Sequence, residues 1–407
     1  MLSLTAYEVR ANAANQFIDG PGALNQLCYG FFGEIGGLLS AVKKSRRELG
    51  PKERDTVMEE LGDALWYFTA IVGQHQLRLE SVGEVALLDL ERRLNVPHHQ
   101  RGAKSLTFYE FDGLLAYCHG KLPESKDTFL CDLAAHSGEI LAKEASHKSD
   151  FGAHPPDRLL AKVLADMIMV AAIFNLKTIE VAESNLKKIE SRWPPKDAKH
   201  IDLFDLDLLC HEQVPRTMSV HFIEREINGK KFVIQQLNGV NIGDRLTDNR
   251  VEPDGYRFHD VFHLAYMTHL GWSPVIRGLL KYKRKSDPNK DENEDGARAM
   301  IIEEGIATWI FNHAFQRNYY AGVKKGKLEY GLLKQVQDMV KGYEVHSCPL
   351  WQWECAILDG FNVFRQLRDA GGGIVHVDLN HRTIRFEAPS SSASSMPLAS
   401  PAPGITL

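Results

Sequence analysis

The sequence predicts a mainly α chain: a tandem helical bundle arranged as a pseudo-dimer, followed by an α+β domain. Three observations carry this. The first two hundred residues show helical periodicity with few strand signals. Two stretches within them look alike: Gly33-Glu34-Ile35-Gly36-Gly37-Leu38-Leu39 with Glu59-Glu60-Leu61-Gly62-Asp63-Ala64-Leu65, and His136-Ser137-Gly138-Glu139-Ile140-Leu141 with Val163-Leu164-Ala165-Asp166-Met167-Ile168. The third is a change of character near residue 200, where β-branched and aromatic runs appear.

In order along the chain, Ala-, Leu-, Glu- and Lys-rich segments predict helices over Leu24–Leu49, Lys52–Gln76, Val82–Leu94, Leu130–His147, Arg158–Phe174 and Ile179–Arg192. Pro51, Pro97, Pro123, Pro155-Pro156 and Pro194-Pro195 punctuate them. Glu34 to Glu60 spans 26 positions and His136 to Val163 spans 27, so the two halves share one helix–connection–helix plan. This gives copy one at 1–97, a connection at 98–124 and copy two at 125–197. In the next part, two β-rich runs joined by Asn228-Gly229 predict a hairpin, and Ile374–Glu387 a second one turning near Asn380-His381. Helices are expected over Arg257–His269, Ala297–Phe315, Leu332–Tyr343 and Trp351–Ala370, completing an α+β module at 198–387. Lys283–Gly296 is highly charged and reads as an exposed, self-compensating loop, together with the basic residues Arg277, Lys281, Lys283, Arg284 and Lys285. The Ser/Pro/Ala-rich stretch 388–407 reads as a disordered tail.

Composition narrows the function. At 407 residues, 44% hydrophobic and 25% charged, the chain has material for several folded cores. With 48 basic against 53 acidic residues the net charge is −5, so a nucleic-acid partner is not expected. No apolar run reaches membrane-spanning length; Val163–Leu176, the most apolar, is too short and carries Asp166. The first residues lack the pattern of a signal peptide. Six cysteines without CxxC spacing read as reduced thiols of a cytoplasmic protein.

Glu60 and Asp63 stand three apart on a helix and share a face. Chance alone gives about seven acid pairs at this spacing in a chain of this composition, so the spacing by itself says little. The setting says more. Asp63 precedes the apolar run ALWYFTAIV, and a carboxylate entering such a run needs a cation, a metal or hydrogen-bond donors. Glu34 on the preceding helix is placed to complete an all-oxygen set suited to Mg²⁺ or Mn²⁺, and Asp166 has a similar setting in the second half. The alternative is a solvated acidic face.

GFFGEIGGLLSAVKK followed by EELGDALWYFTAIV resembles the all-α nucleoside triphosphate pyrophosphohydrolases of the MazG-like family, whose pattern is ExxE followed by ExxD. VAESNLKKIESRWP, Val181 to Pro194, is similar to that family's terminal helix. The resemblance covers roughly residues 1–195. It implies metal-binding roles for Glu34, Glu60 and Asp63 in copy one and for Glu139 and Asp166 in copy two, with Glu60 as a candidate base. Asn185 and Lys188 take the nucleotide-binding places. Neither copy is complete: Gly37, His136 and Val163 stand where the family has acids, and Ala86 and Asp89 where it has the Asn and Lys. Two readings follow. One is a composite site cleaving a nucleoside triphosphate, NTP or dNTP, to monophosphate and pyrophosphate. The other is a catalytically degenerate nucleotide sensor or interaction protein. The C-terminal module resembles one that accompanies some MazG-like proteins in defence against phage, and it offers a surface for a homo-oligomer or partner protein.

Within that module, Arg257-Phe258-His259-Asp260-Val261-Phe262-His263 sets two histidines four apart, echoing the H-E-x-x-H zinc pattern with Asp for Glu. Glu304 downstream is a candidate third ligand. This predicts either a Zn²⁺ site of a metallohydrolase at His259, His263 and Glu304, or hydrogen-bonded histidines in a core helix.

Overall fold

Backbone donors at the start of the first helix, α1 (Leu4–Ala13), are met by Ser3, whose hydroxyl accepts from the Ala6 N–H at 3.1 Å. In a computed structural model of the chain the residues described are 1–16, 22–45, 47, 53–97, 105–118, 125–145 and 156–389. They divide into two compact units, Met1–Lys196 and Asp197–Leu407. The stretch 390–407, read above as a disordered tail, lies outside the described residues.

The first unit is helical. After α1 come α2 (Ala23–Ser45), α3 (Glu53–Gln74), α4 (Leu79–Arg93), α5 (Phe108–Tyr117), α6 (Lys126–Ala145), α7 (Pro156–Ile173) and α8 (Thr178–Arg192). Helices α2 and α3 pack along each other, as do α6 and α7, and α2 also packs on α6. Two long-range pairings close the bundle: α8 lies on α3, and α4 lies on α7. The core joins Phe31, Leu61, Phe68, Leu164 and Leu186, so every long helix contributes to one apolar interior. Gln76, Asn95 and Asn175 take positive φ just past the ends of α3, α4 and α7, the left-handed stop that asparagine tolerates best after glycine.

Two helices of the first unit, α1 and α5, were not expected from the sequence. Helix α1 buries Leu4, Tyr7 and Ala11 while exposing Val9, which blurs its apolar stripe. Helix α5 falls in the expected connection; Glu110 accepts from the Thr107 N–H at 3.0 Å and steadies its first turn.

The second unit holds a five-stranded antiparallel sheet in the order β3-β2-β1-β4-β5, made of β1 (Thr217–Ile227), β2 (Lys230–Leu237), β3 (Val240–Leu246), β4 (Gly372–Asp378) and β5 (Thr383–Glu387). Asn228-Gly229 and Asn238-Gly239 both have positive φ at two successive residues, which the tight turns between β1, β2 and β3 require. The third strand was not expected because it is an edge strand, exposed at most positions, so the alternation that marks a strand is missing from it.

Helices α9 (Asp260–Leu270), α10 (Pro274–Leu280), α11 (Pro288–Asn293), α12 (Ala297–Phe315), α13 (Tyr330–Met339) and α14 (Leu350–Ala370) complete the unit. Of these, α10 and α11 were not expected from the sequence. Helices α9 and α14 pack together and against β4 and β5. Every residue of α9 is buried, so it is the unit's central helix.

The charged stretch Lys283–Gly296 needs correcting. It is not a solvated loop throughout: it contains α11, and both its ends turn inward. Arg284 is 1% exposed and Asp295 is fully buried, and the Arg284 guanidinium donates to Asp295 at 2.9 and 3.1 Å. Arg277 is buried as well, donating to Asp205 at 2.8 Å. The charges compensate one another, as the alternating signs suggest, but away from water.

No single helix among the described residues is long and apolar enough to cross a membrane. None of the six cysteines is in a disulfide among the described residues.

Candidate functional site

Helix α3 carries Glu59, Glu60 and Asp63 on one side because residues three and four apart share a helix face. Its opposite side supplies Leu61, Leu65 and Phe68 to the core. Glu34 reaches the same acids from α2. Helix α8 brings the polar counterparts. Lys188 donates to Asp63 and, at 3.0 Å, to Glu59 Oε1. Asn185 donates its amide to Asp63 Oδ1 at 3.3 Å, and its carbonyl accepts from the Tyr7 hydroxyl at 2.8 Å. Five of the expected residues, Glu34, Glu60, Asp63, Asn185 and Lys188, therefore meet in one cluster.

Burial and crowding set the electrostatics. Burial pushes the Glu34 carboxyl up to about 8, and the negative charges of Asp63 and Glu60 add to the shift, while Lys188 opposes it. Glu34 and Glu60 share a hydrogen bond that favours the proton on Glu34. Burial raises Glu60 too, with Asp63 and Glu59 adding repulsion. Tyr7, fully buried, stays a donor because burial and Asp63 both disfavour its phenolate.

Such a set of oxygens matches a hard divalent cation by donor type and by its excess of negative charge. Its oxygens are not drawn tightly together, however. Among the described residues, the group whose ligand atoms all lie within 4.8 Å of one another is His259, Asp260 and His263. The ammonium of Lys188 holds Asp63 and Glu59 in the first unit.

Gly37, where the resembling family has an acid, has a physical counterpart. A Cβ built on it would run into the Glu60 carboxylate, so Glu60 fills the space that a side chain at 37 would take.

Asp166 and Glu139, given metal-binding places by the resemblance, are each already paired with a cationic side chain. Asp166 is 1% exposed, and its two oxygens are already taken, by Arg93 Nη1 at 2.6 Å and His136 Nδ1 at 2.5 Å. Arg93 also grips Asp89 at 2.6 Å, one turn earlier on α4. A metal there would have to displace a guanidinium from a buried carboxylate. Glu139 faces solvent and pairs with Lys143 at 2.9 Å, which lowers its pKa. The cation of this second cluster is Arg93, which sequence reasoning passed over; only the packing of α4 on α7 reveals it. Tyr7 and Glu59 were missed for the same reason: one lies on an unexpected helix, and the other looks like one surface acid among many.

In the second unit His259 and His263 stand together with Glu304. His263 Nε2 lies 3.4 Å and His259 Nε2 3.8 Å from Glu304 Oε2. His263 Nδ1 meets Glu303 Oε1 at 2.8 Å, and His259 Nδ1 meets the Tyr256 carbonyl at 2.9 Å. Glu303 was not singled out in the sequence. It is fully buried, while Glu304 beside it keeps 43% of its side chain exposed.

Residues 199–390 match the family model of the MazG C-terminal domain, which supports a MazG-related family. No curated protein and no solved structure gives a significant match to the chain.

Proposed function

We propose that this MazG-related chain hydrolyses nucleoside triphosphates to the monophosphate and pyrophosphate at the cluster of Glu34, Glu60, Asp63, Asn185 and Lys188. The observation that carries the reading is the meeting of α8 donors with α2 and α3 acids: Lys188 and Asn185 both bond Asp63. A triphosphate needs cationic and amide donors for its oxygens next to acids that can hold a cation, and this cluster offers both.

Each residue has a task. Lys188 exchanges its contact with Glu59 for a phosphate oxygen when substrate arrives. Asn185, oriented by the Tyr7 hydroxyl, offers a fixed amide. Glu60, whose pKa is raised by burial, takes a proton from the attacking water. The water oxygen bonds to the α-phosphorus, the bond from that phosphorus to the α–β bridging oxygen breaks, and pyrophosphate leaves with the electron pair. Glu34, Glu60 and Asp63 would hold Mg²⁺ or Mn²⁺, which when bound polarises phosphate oxygens and acidifies water.

The first unit also reads as two copies of one helical plan. The contact of Arg93 with Asp166 parallels that of Lys188 with Asp63, while His136 bonds Asp166 where Glu34 repels Asp63. One cluster keeps acids in excess of cations, and the other is closed by an internal ion pair.

The test is incubation of the full chain with a panel of NTPs and dNTPs in Mg²⁺ or Mn²⁺, with products separated by chromatography. Monophosphate and pyrophosphate are expected. Tight nucleotide binding with no turnover across the panel would instead establish the sensor reading.

Glu34 gives a second check. Without divalent cation its folded-state pKa lies above the unfolded value, so the native state holds this proton longer. Its contribution to stability is fully present below about pH 4.3 and is lost as pH rises toward about 8. Glu34→Gln should flatten that decline. Discounted for partial exposure, the effect is about 1–2 kcal/mol, or about 2–6 °C in Tm. Mg²⁺ should protect the wild-type chain more at pH 8 than at pH 5. Melting curves across pH, with and without Mg²⁺, measure both; identical slopes for wild type and variant would contradict the crowding of Glu34.

A further inference from the structure

Helix α9 poses a separate problem of charge. His259 Nδ1 faces the Tyr256 carbonyl, which can only accept, so that nitrogen carries the proton. His263 Nδ1 faces Glu303, which also accepts from the Ser273 hydroxyl at 2.6 Å and the Val275 N–H at 2.9 Å. With both Nδ1 atoms so engaged, a neutral ring presents a bare lone pair at Nε2. Both lone pairs face acceptors: His259 Nε2 lies 3.1 Å from Asp260 Oδ1, and Glu304 Oε2 lies near both rings. His263 Nε2 is fully buried and makes no hydrogen bond. A lone pair pointed at carboxylate oxygens in a buried helix is met either by a proton on the ring or by a cation between the two groups.

We propose that the C-terminal unit binds a divalent transition metal, Zn²⁺ being the best match, through His259 Nε2, His263 Nε2 and Glu304. Two protonated rings would supply the charge but would set two imidazolium ions side by side, their centroids 5.8 Å apart. One ion satisfies both nitrogens and the carboxylate together. Zinc bonds of about 2.0–2.2 Å in tetrahedral array put ligand atoms about 3.3 Å apart. The 3.4 and 3.8 Å separations from Glu304 are near that spacing.

The surroundings are those of a metal site. Each ring's second nitrogen is fixed by an oxygen acceptor, which sets its tautomer and aim. Tyr256 stacks on His259 at 4.3 Å, with the ring planes 1° apart. Asp260, its other oxygen accepting from Gln235 of β2, stands beside the rings as a further oxygen. Imidazole pairs with a carboxylate here, a donor set that favours zinc and its neighbours over magnesium. The half-exposed Glu304 leaves a side open to solvent, as a site that activates water requires.

The full chain, without a histidine tag, would be stripped with chelator and titrated with Zn²⁺ and with Co²⁺, whose visible absorption reports nitrogen–oxygen ligation. One tightly held equivalent per chain is expected, undisturbed by excess Mg²⁺ and retained in Asp63→Asn. Glu304→Gln, at a half-exposed position that spares the fold, should weaken binding at least about tenfold, as should His259→Gln. Thermal melting verifies that the variants are folded. Wild-type chain binding no more Zn²⁺ or Co²⁺ than the folded Glu304→Gln/His259→Gln double variant would overturn the proposal and leave the cluster a buried ion-paired network.

Discussion

Asp63→Asn should cut the rate of triphosphate cleavage by about 10²–10³-fold or more while the chain stays folded. The substitution keeps the side chain's shape and its contact with Asn185, but removes a charge at the point where α3 and α8 meet. Lys188 still has Glu59 at 3.0 Å, so the helix pairing survives. The loss should appear in kcat rather than in folding, and steady-state kinetics with circular dichroism separates the two. Glu139→Gln is the contrast. It deletes one exposed ion pair to Lys143, a kind of interaction contributing under about 1 kcal/mol, and the rate should not change. Undiminished cleavage in Asp63→Asn would remove this cluster as the active site.

The largest expected loss of stability lies in the other unit. Asp295→Ala should destabilise it by about 3–5 kcal/mol, because it strands a buried guanidinium. Asp295 accepts from the Arg284 backbone N–H at 2.8 Å and from its side chain at 2.9 and 3.1 Å, and Arg277 Nε stands 3.9 Å away. Glu344, 2.7 Å from Arg284, retains part of the compensation, and burial pushes its own pKa up to about 7. Chemical denaturation measures the change. Lys285→Ala supplies the control: Lys285 pairs with Asp291 at 2.7 Å but is 69% exposed, and its loss should be nearly silent. Equal effects from the two substitutions would mean that the Asp295 cluster is not sealed from water.

These two residues mark how far the sequence could be read. Asp63 was legible because an acid opening an apolar helical run states its own need for a partner. The identity of that partner was not legible from periodicity, since Lys188 lies 125 positions away; only likeness to a known terminal helix singled it out. Asp166 shows the converse. Its setting in the sequence is as suggestive as that of Asp63, yet Arg93, 73 positions distant, neutralises it, and nothing local announces that contact. Asp295 was misjudged because a stretch crowded with charge resembles solvated surface whether or not its ends fold inward. Strand β3 and helices α1 and α5 escaped notice where one apolar face was short or interrupted. His259 and His263 were visible by spacing and Glu304 as a downstream acid, but Glu303, which meets His263 Nδ1, was not, because it comes from another helix, α12, and nothing local marks it.

The long reach from Asp63 to Lys188 has a consequence for synthesis. A ribosome adding about 5–20 residues per second needs about 6–25 s to travel those 125 positions. During that interval Glu34, Glu60 and Asp63 can be brought near one another on the nascent α2–α3 pair with their lysine not yet made. The emerging hairpin therefore carries an acidic patch without its lysine, which a proton on Glu34, a free cation or a chaperoning surface relieves until α8 emerges. Arresting translation between residues 100 and 180 should leave an N-terminal segment whose compaction depends on divalent cation, a dependence that eases once α8 is present.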